Sequence, residues 1–293
     1  MNSLICGSGF GLYGYLPAIY QFSSKIYLDK KYKIFFNSRR ELTKFKSKLV
    51  WYDNINKITH KIDYLIIAKR PKDQLKIIKF FLKKKKKIKH YFLEKPISTT
   101  PEKASELLDF FYKKKVNYSV GFLFKYTIWF KLIKNELPNI KKSKILIKWN
   151  IPEKNKSSKL WKYSLKEGGG LIRYYGIHFI KLFSDFNFNK IKKNIIKKKS
   201  WEITIHDRRS NVIKLLLKYS TKANFSYKIN EAKVNKIDTP FSNKIDYKSI
   251  DPRCFFLKKY IRQNLSTKSV DDMKKFLNLW DIIEKKNQLK VPV

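Results

Sequence analysis

Two short motifs constrain this chain more than anything else in it. Ser3-Leu4-Ile5-Cys6 is an apolar run that opens onto Gly7-Ser8-Gly9. Far downstream, Tyr91-Phe92-Leu93 runs into Glu94-Lys95-Pro96. Between them, apolar runs alternate with helical stretches. Lys33 to Phe36 and Asp63 to Ala68 read as strands. Phe10 to Tyr20, Arg40 to Leu49 and Asp73 to Leu82 read as helices. Pro101 to Lys114 then reads as an amphipathic helix, and Asn117 to Val120 as a last strand before Gly121. Short buried strands alternating with helices at this spacing predict a parallel α/β sheet. In such a sheet, ligands bind outside the carboxyl ends of the strands, where both motifs fall.

After Gly121 the pattern changes. Lys144 to Trp149, Ser200 to Ile205, Val212 to Tyr219 and Ala223 to Ile229 alternate apolar with polar residues. That period suits a sheet with one face in water. Arg253 to Leu265 and Asp271 to Lys285 read as closing helices. The expected fold is α/β: a Rossmann-type dinucleotide-binding domain over 1–119, then an α+β domain over 120–293 with a large open, mostly antiparallel sheet.

Composition narrows the class. The chain has 293 residues, 43% hydrophobic and 16% aromatic, which is enough for two cores. No apolar run is long enough to span a membrane, and the start lacks a leader pattern. Two cysteines, Cys6 and Cys254, are too few for a disulfide scaffold or a cysteine-rich zinc site. The expectation is a cytoplasmic protein with no bound metal. The net charge of +44 admits a nucleic-acid or membrane partner. Yet the lysines are spread along the whole chain, amid abundant Ile, Asn, Phe and Tyr, whose codons are also rich in A and T. The dense run Lys83 to Lys87 reads as a solvated helix end. Coding bias therefore accounts for the charge, and neither a specific nucleic-acid partner nor a membrane is expected.

Particular residues carry chemistry. Gly7 and Gly9, with Phe10, Gly11 and Leu12 entering a helix, would let the backbone approach a pyrophosphate. The third glycine of the dinucleotide fingerprint falls on Leu12, with Gly11 beside it. The strand read over Lys33 to Phe36 ends at Asn37-Ser38-Arg39-Arg40, without the acid that would bind a ribose 2′-hydroxyl. Ser38 and Arg39 would instead hold a 2′-phosphate, so NADP(H) is expected over NAD(H). Lys95, at a strand end, can hydrogen-bond a substrate oxygen and stabilise charge as hydride moves. Gly168-Gly169-Gly170 opens a helix on which Tyr174 and His178, four apart, share a face. Gly176 between them calls for a close neighbour, such as the cofactor domain.

These pieces together resemble the Gfo/Idh/MocA oxidoreductases, the glucose-fructose oxidoreductase and inositol dehydrogenase group, nearly end to end. The carriers are Gly7-Ser8-Gly9-Phe10-Gly11, Ala68-Lys69-Arg70-Pro71, Glu94-Lys95-Pro96, Val120-Gly121-Phe122, and Gly168 to Gly170 ahead of Gly176-Ile177-His178. The resemblance implies a nicotinamide cofactor held by the glycine loop, Ala68, Pro71, Glu94 and Lys95. It makes Lys95 the active-site lysine and His178 the catalytic histidine. It implies hydride transfer to or from a sugar or sugar-derived alcohol or ketone, and a homo-oligomer paired through the second-domain sheet. Lys125, Trp161, Lys162 and Arg173 are candidate substrate contacts.

The chain also departs from the family pattern. Tyr174 stands where the family has an aspartate, Lys181 where it has another acid, Lys125 for an arginine and Gln74 for a histidine. Two accounts are open. Tyr174 shares the acid/base work, its phenol made more acidic by a nearby ammonium. Alternatively, the protein binds a nucleotide without turnover, as a regulatory relative does. A lyase or hydrolase that uses its cofactor as a transient carrier is a third reading.

Overall fold

The computed structural model describes residues 1–84, 87–137, 142–153, 160–242, 251–266 and 273–288. Lys85 and Lys86 of the predicted helix end, and Asp271 at the predicted start of the last helix, lie outside the described residues.

The chain forms two compact units, and neither is a single stretch. The first takes Met1–Ser98, Glu106–Leu123 and Asn243–Asp271; the second takes Thr99–Ser105, Phe124–Ser242 and Asp272–Val293. A single boundary after residue 119 therefore misses a late segment that folds back into the first unit.

The first unit is built on a six-stranded, wholly parallel sheet. Its strands are β1 (Asn2–Cys6), β2 (Lys25–Asp29), β3 (Leu49–Tyr52), β4 (Tyr64–Ile67), β5 (His90–Leu93) and β6 (Tyr118–Val120). They lie in the order β3-β2-β1-β4-β5-β6. This is the doubly wound order of a dinucleotide fold. Every residue of β4 is buried, as in a sheet covered on both faces.

The second strand corrects the sequence reading. Residues 33–37 are not a strand but a short helix (Lys33–Asn37). Ile34 and Phe35 are 72% and 54% exposed there, and only Phe36 enters the core. The apolar run looked like a buried strand because composition alone does not show which side of each residue faces water. The true β2 lies eight residues earlier and ends on an acid, Asp29. The segment read as helical over Arg40 to Leu49 is a 3₁₀ run, Arg40–Lys48, and leads into β3, a strand the pattern did not show.

The second unit holds a six-stranded mixed sheet. Its strands are β7 (Lys144–Pro152), β8 (Lys190–Lys197), β9 (Ser200–His206), β10 (Val212–Ser220), β11 (Asn224–Ile229) and β12 (Asn235–Ile237). The order is β12-β11-β7-β10-β9-β8, with one parallel pairing, β7 with β10. The rest are antiparallel, as expected. Odd-numbered residues of β7, β9, β10 and β11 face the core, among them Trp149, Trp201, Leu217 and Phe225. The helix Ile128–Glu136 contributes Trp129, whose ring lies 5.0 Å from Phe225.

Gly176 precedes the helix Ile177–Asp185, and a Cβ there would come within 2.7 Å of the Trp201 ring and 3.5 Å of Leu217. The close neighbour that explains this glycine is therefore the unit's own sheet.

Candidate active site

The glycine loop follows β1. Gly7 has φ +147°, and a Cβ on it would overlap the Ala68 carbonyl at the end of β4. The loop therefore passes against β4 at a distance only glycine allows. Gly9 accepts the backbone N–H of Leu12 at 2.8 Å, starting the helix. The packing task of the third fingerprint glycine falls on Gly11. A Cβ there would sit 3.1 Å from Ile5 and 3.5 Å from Ala68. Leu12 is fully buried in the core instead. The helix absorbs this one-residue shift by opening with a wide turn over Gly11–Tyr15, closed by the Leu16 N–H on the Gly11 carbonyl.

A cavity of about 600 Å³ opens at the carboxyl ends of β1 to β4. Cys6, Asp29, Tyr52 and Lys69 line it from those four strand ends. Asp29 accepts the Lys31 backbone N–H at 3.0 Å and pairs with the Lys31 ammonium at 2.5 Å. A glycine cradle beside a strand-end carboxylate fits a dinucleotide, with the carboxylate placed to accept from ribose hydroxyls.

Ser38 and Arg39 end up elsewhere. Ser38 donates its hydroxyl to the Phe35 carbonyl at 3.0 Å. Arg39 lies 4.9 Å over the Tyr13 ring and 3.6 Å from Glu41. Neither follows β2, so the argument that took them for a 2′-phosphate site loses its structural premise.

Glu94-Lys95-Pro96 follows β5, with a cis Lys95–Pro96 peptide. Gln74, fully buried in the helix Pro71–Lys83, donates its amide to the carbonyls of Glu94 (2.8 Å) and Pro96 (3.0 Å). Gln74 therefore fixes the backbone on both sides of Lys95. Pro71 starts that helix and positions Gln74 one turn on. Tyr15 donates its phenol to Glu94 at 2.8 Å.

A further cation comes from late in the chain. Arg253 opens the helix Arg253–Ser266, and Asp251 grips its guanidinium through two hydrogen bonds, 2.9 and 2.6 Å long. The guanidinium lies 3.9 Å from the centre of the Phe10 ring. That ring also covers Gly14, where a Cβ would overlap it. The neighbouring Cys254 donates its thiol to the Tyr13 carbonyl at 3.0 Å. The start of this helix thus clasps the glycine loop.

Electrostatics follow from this packing. Burial pushes the Lys95 ammonium down to about 8; Glu94 opposes the shift and Arg253 adds to it. Burial pushes the Glu94 carboxyl up, against the pull of Lys95, Tyr15 and Arg253. A lysine that releases its proton near neutral pH suits proton transfer.

In the second unit, His178 is 4% exposed, and its ring stacks on Phe124 with centroids 4.5 Å apart. Tyr174 lies in a wide-turned segment, Leu171–Gly176, ahead of the helix that carries His178, so the two do not share one regular α-helical face. Tyr174 meets Trp161 and Tyr175 edge-on, at 5.3 and 4.7 Å. Gly169 allows this fold, since a Cβ there would overlap the Trp161 carbonyl. Tyr219 joins the cluster through Tyr175 and Tyr163, and its phenol oxygen is buried without a partner among the described residues.

Two of the predicted substrate contacts, Lys125 and Lys162, lie over the rings of Tyr126 and Tyr163. Arg173 has another task. It forms a bidentate pair with Glu284, 2.8 and 2.5 Å, and donates to the carbonyls of Thr99 and Leu165. It braces the unit internally, which corrects its assignment to substrate. Lys181 pairs with Asp185 one turn along its helix. The acid expected at 181 thus has a counterpart at 185, bound to the lysine that replaces it.

Comparison with known proteins agrees with this geometry. Residues 1–122 match the GFO_IDH_MocA family, described as an oxidoreductase family with an NAD-binding Rossmann fold. The N-terminal part of this chain is similar to the nucleotide-binding domain of that family. No curated protein sequence matches the chain.

Among solved structures, the WlbA (WbpB) dehydrogenase from Thermus thermophilus, in complex with NAD and UDP-GlcNAcA, superposes with a TM-score of 0.69 at 12% identity. The match covers 100% of this chain and 95% of that one. A 3-ketoreductase from Actinomadura kijaniata, with NADP and TDP-benzene, gives 0.67 at 12%, covering 97% and 95%. A myo-inositol dehydrogenase from Corynebacterium glutamicum gives 0.66 at 12%, covering 100% and 99%. At these identities the likeness is one of fold, and it extends over both units.

Proposed function

We propose that this chain is an NAD(H)-dependent oxidoreductase acting on a sugar or sugar-derived alcohol or ketone. The observation that carries the reading is the grip on Lys95, whose backbone Gln74 holds on both sides and whose neighbour Glu94 is held by Tyr15. A surface lysine needs no such fixing.

The dinucleotide, when bound, supplies or accepts the hydride. Gly7, Gly9 and Gly11 shape its cradle, and Asp29 accepts from its ribose hydroxyls. The choice of NAD(H) over NADP(H) rests on that carboxylate, which would repel a 2′-phosphate. Lys95 hydrogen-bonds the reacting oxygen and, as an ammonium, delivers a proton to it in the reducing direction. His178 and Tyr174 are the proton-handling candidates of the second unit. The aromatic edges of Trp161, Tyr174 and Tyr175, with the buried Tyr219 oxygen, support a sugar-like substrate. Sugar rings present apolar faces and hydroxyls together.

The test is a panel of sugars, inositols and nucleotide sugars with NAD(H), reading cofactor absorbance, in wild type and Lys95→Ala. Turnover that falls at least about 100-fold in the variant, with cofactor affinity kept, supports the reading. Equal turnover in the two overturns the role of Lys95. One observation favours a second reading, a nucleotide-dependent regulator: the family's aspartate position holds Tyr174, packed edge-on between Trp161 and Tyr175. Turnover with any member of the panel rejects it.

A further inference from the structure

The stretch from Met1 to Ser24 holds the whole glycine loop and carries no Lys, Arg, His, Asp or Glu. Lys25 is the first charged side chain of the sequence. Yet the chain has 67 basic residues among 293. Backbone N–H groups of the loop can face a pyrophosphate, but they bring only partial charge. A side-chain cation for that group has to come from another part of the chain.

Two arginines reach the loop and the helix it opens. Arg39 lies 4.9 Å over the Tyr13 ring, half exposed and 3.6 Å from Glu41. Arg253 lies closer, 3.9 Å over the Phe10 ring, and Phe10 belongs to the loop itself. Asp251 grips the Arg253 fork at Nε (2.9 Å) and Nη2 (2.6 Å), and accepts its backbone N–H at 2.9 Å. A guanidinium stacked on a ring and held at one edge keeps a single orientation. It still reaches solvent, with its side chain 31% exposed.

The ring under it is fixed as well. Phe10 meets Tyr15 edge-on at 5.5 Å and covers Gly14. Tyr15 is buried and bound to Glu94. Cys254, next to Arg253, donates to the Tyr13 carbonyl. A cation oriented before its ligand arrives loses little freedom on binding. Packing alone does not call for an ion pair here, since an apolar side chain would cover Phe10 without the cost of drying two charges.

Arg253 also disfavours the charged form of Lys95. Two cations that repel one another at the strand ends are relieved by an anion between or beside them. Lys95 is already read as the partner of the reacting oxygen. Arg253 has no such task.

We propose that Arg253 is the side-chain cation for the pyrophosphate of the dinucleotide, carried to the glycine loop by a helix from late in the chain. The proposal rests on the reading of the first unit as a nicotinamide-dinucleotide site. It adds that affinity depends on a residue outside 1–122, and that the contact ignores both the nicotinamide and the ribose 2′ position. NADH, NADPH and ADP-ribose should therefore depend on Arg253 alike.

The experiment titrates the full chain with ADP-ribose and with adenosine by calorimetry, at roughly 0.15 M salt. ADP-ribose carries the pyrophosphate but no nicotinamide, so a changed Lys95 does not enter. Arg253→Gln should bind ADP-ribose at least about tenfold more weakly and adenosine within about twofold of wild type. Lys79→Gln, an exposed change of equal charge, should bind both within about twofold of wild type.

Unchanged ADP-ribose affinity in Arg253→Gln overturns the proposal and leaves the dinucleotide reading standing. An equal loss in Lys79→Gln would mean attraction by overall charge, and an equal loss of adenosine would mean damage to the pocket. Each overturns the proposal. So does a loss found in Arg39→Gln and not in Arg253→Gln. A wild type that binds neither ADP-ribose nor NADH removes the dinucleotide reading, and the proposal with it. Phenylglyoxal labelling of wild type, read by peptide mass spectrometry, needs no variant to fold. Protection of Arg253 by ADP-ribose but not by adenosine, with exposed Arg208 labelled throughout, supports the proposal. Equal labelling of Arg253 with and without ADP-ribose contradicts it.

Discussion

The phenol of Tyr15 donates a 2.8 Å hydrogen bond to a carboxylate oxygen of Glu94, across a space that only a glycine at 121 leaves open. A Cβ on Gly121 would lie 2.9 Å from the phenol oxygen and 3.1 Å from that carboxylate oxygen. Three motifs distant in sequence thus meet at one hydrogen bond: the helix after the glycine loop, the Glu-Lys-Pro turn and the strand end before Phe122. Tyr15→Phe leaves a buried carboxylate without its donor, at a cost of about 1–3 kcal/mol. Urea unfolding of the variant should show a lower midpoint, and an unchanged midpoint would remove this bond from the account.

Arg253 sits where it can tune Lys95. It lowers the Lys95 ammonium's affinity for its proton, and its guanidinium is fixed by Asp251 and the Phe10 ring. In Arg253→Met, the Lys95 pKa should rise from about 8 towards its ordinary value. The rate of Lys95 acylation against pH, followed by peptide mass spectrometry, reads this without a substrate. A profile identical to wild type would show that Arg253 does not tune Lys95.

In the reducing direction, the account requires Lys95 to carry its proton. That form dominates below about pH 8 and is lost above it. Reduction should therefore decline as pH rises through 8, and oxidation should gain over the same range. A flat reduction profile from pH 7 to about 9 would argue against proton delivery by Lys95.

His90 makes a separate prediction about stability. Burial pushes its imidazole down to about 4, and its Nε2 lies 2.8 Å from the Ser119 hydroxyl, itself 2.7 Å from the Tyr260 phenol. In the unfolded chain the ring takes a proton near pH 6.5, so below that pH the unfolded state binds more protons. Its contribution is intact above about 6.5 and lost as pH falls towards 4, by at most about 3 kcal/mol. His90→Gln should flatten the fall in melting temperature over that window. An equal fall in wild type and variant would assign acid sensitivity to other groups.

Much of the fold was legible because the first sheet is parallel and buried. Runs such as Tyr64–Ile67 and Tyr91-Phe92-Leu93 announce themselves by being apolar between turn residues. The glycine loop and the Glu-Lys-Pro turn were legible because close backbone approach and a strand-end position restrict residue choice. The second strand was misread because Ile34 and Phe35 are apolar yet exposed. That error displaced the cofactor argument from Asp29 to Ser38 and Arg39. The run Ile26-Tyr27-Leu28-Asp29, an apolar strand ending on an acid, was the signal that would have found it. Strand β8 was missed because its sequence is half lysine. Arg253 and Tyr219 carry no local motif, and only tertiary packing places them.

The central claim is that the N-terminal unit holds a nicotinamide dinucleotide with Asp29 on its ribose. Calorimetric titration of wild type and Asp29→Ser with NADH and NADPH, at salt high enough to suppress plain charge attraction, tests it most directly. The account predicts that wild type prefers NADH and that the variant loses at least about tenfold of that preference, roughly 1.4 kcal/mol. Wild type that binds neither cofactor, or that prefers NADPH with Asp29 in place, would contradict it.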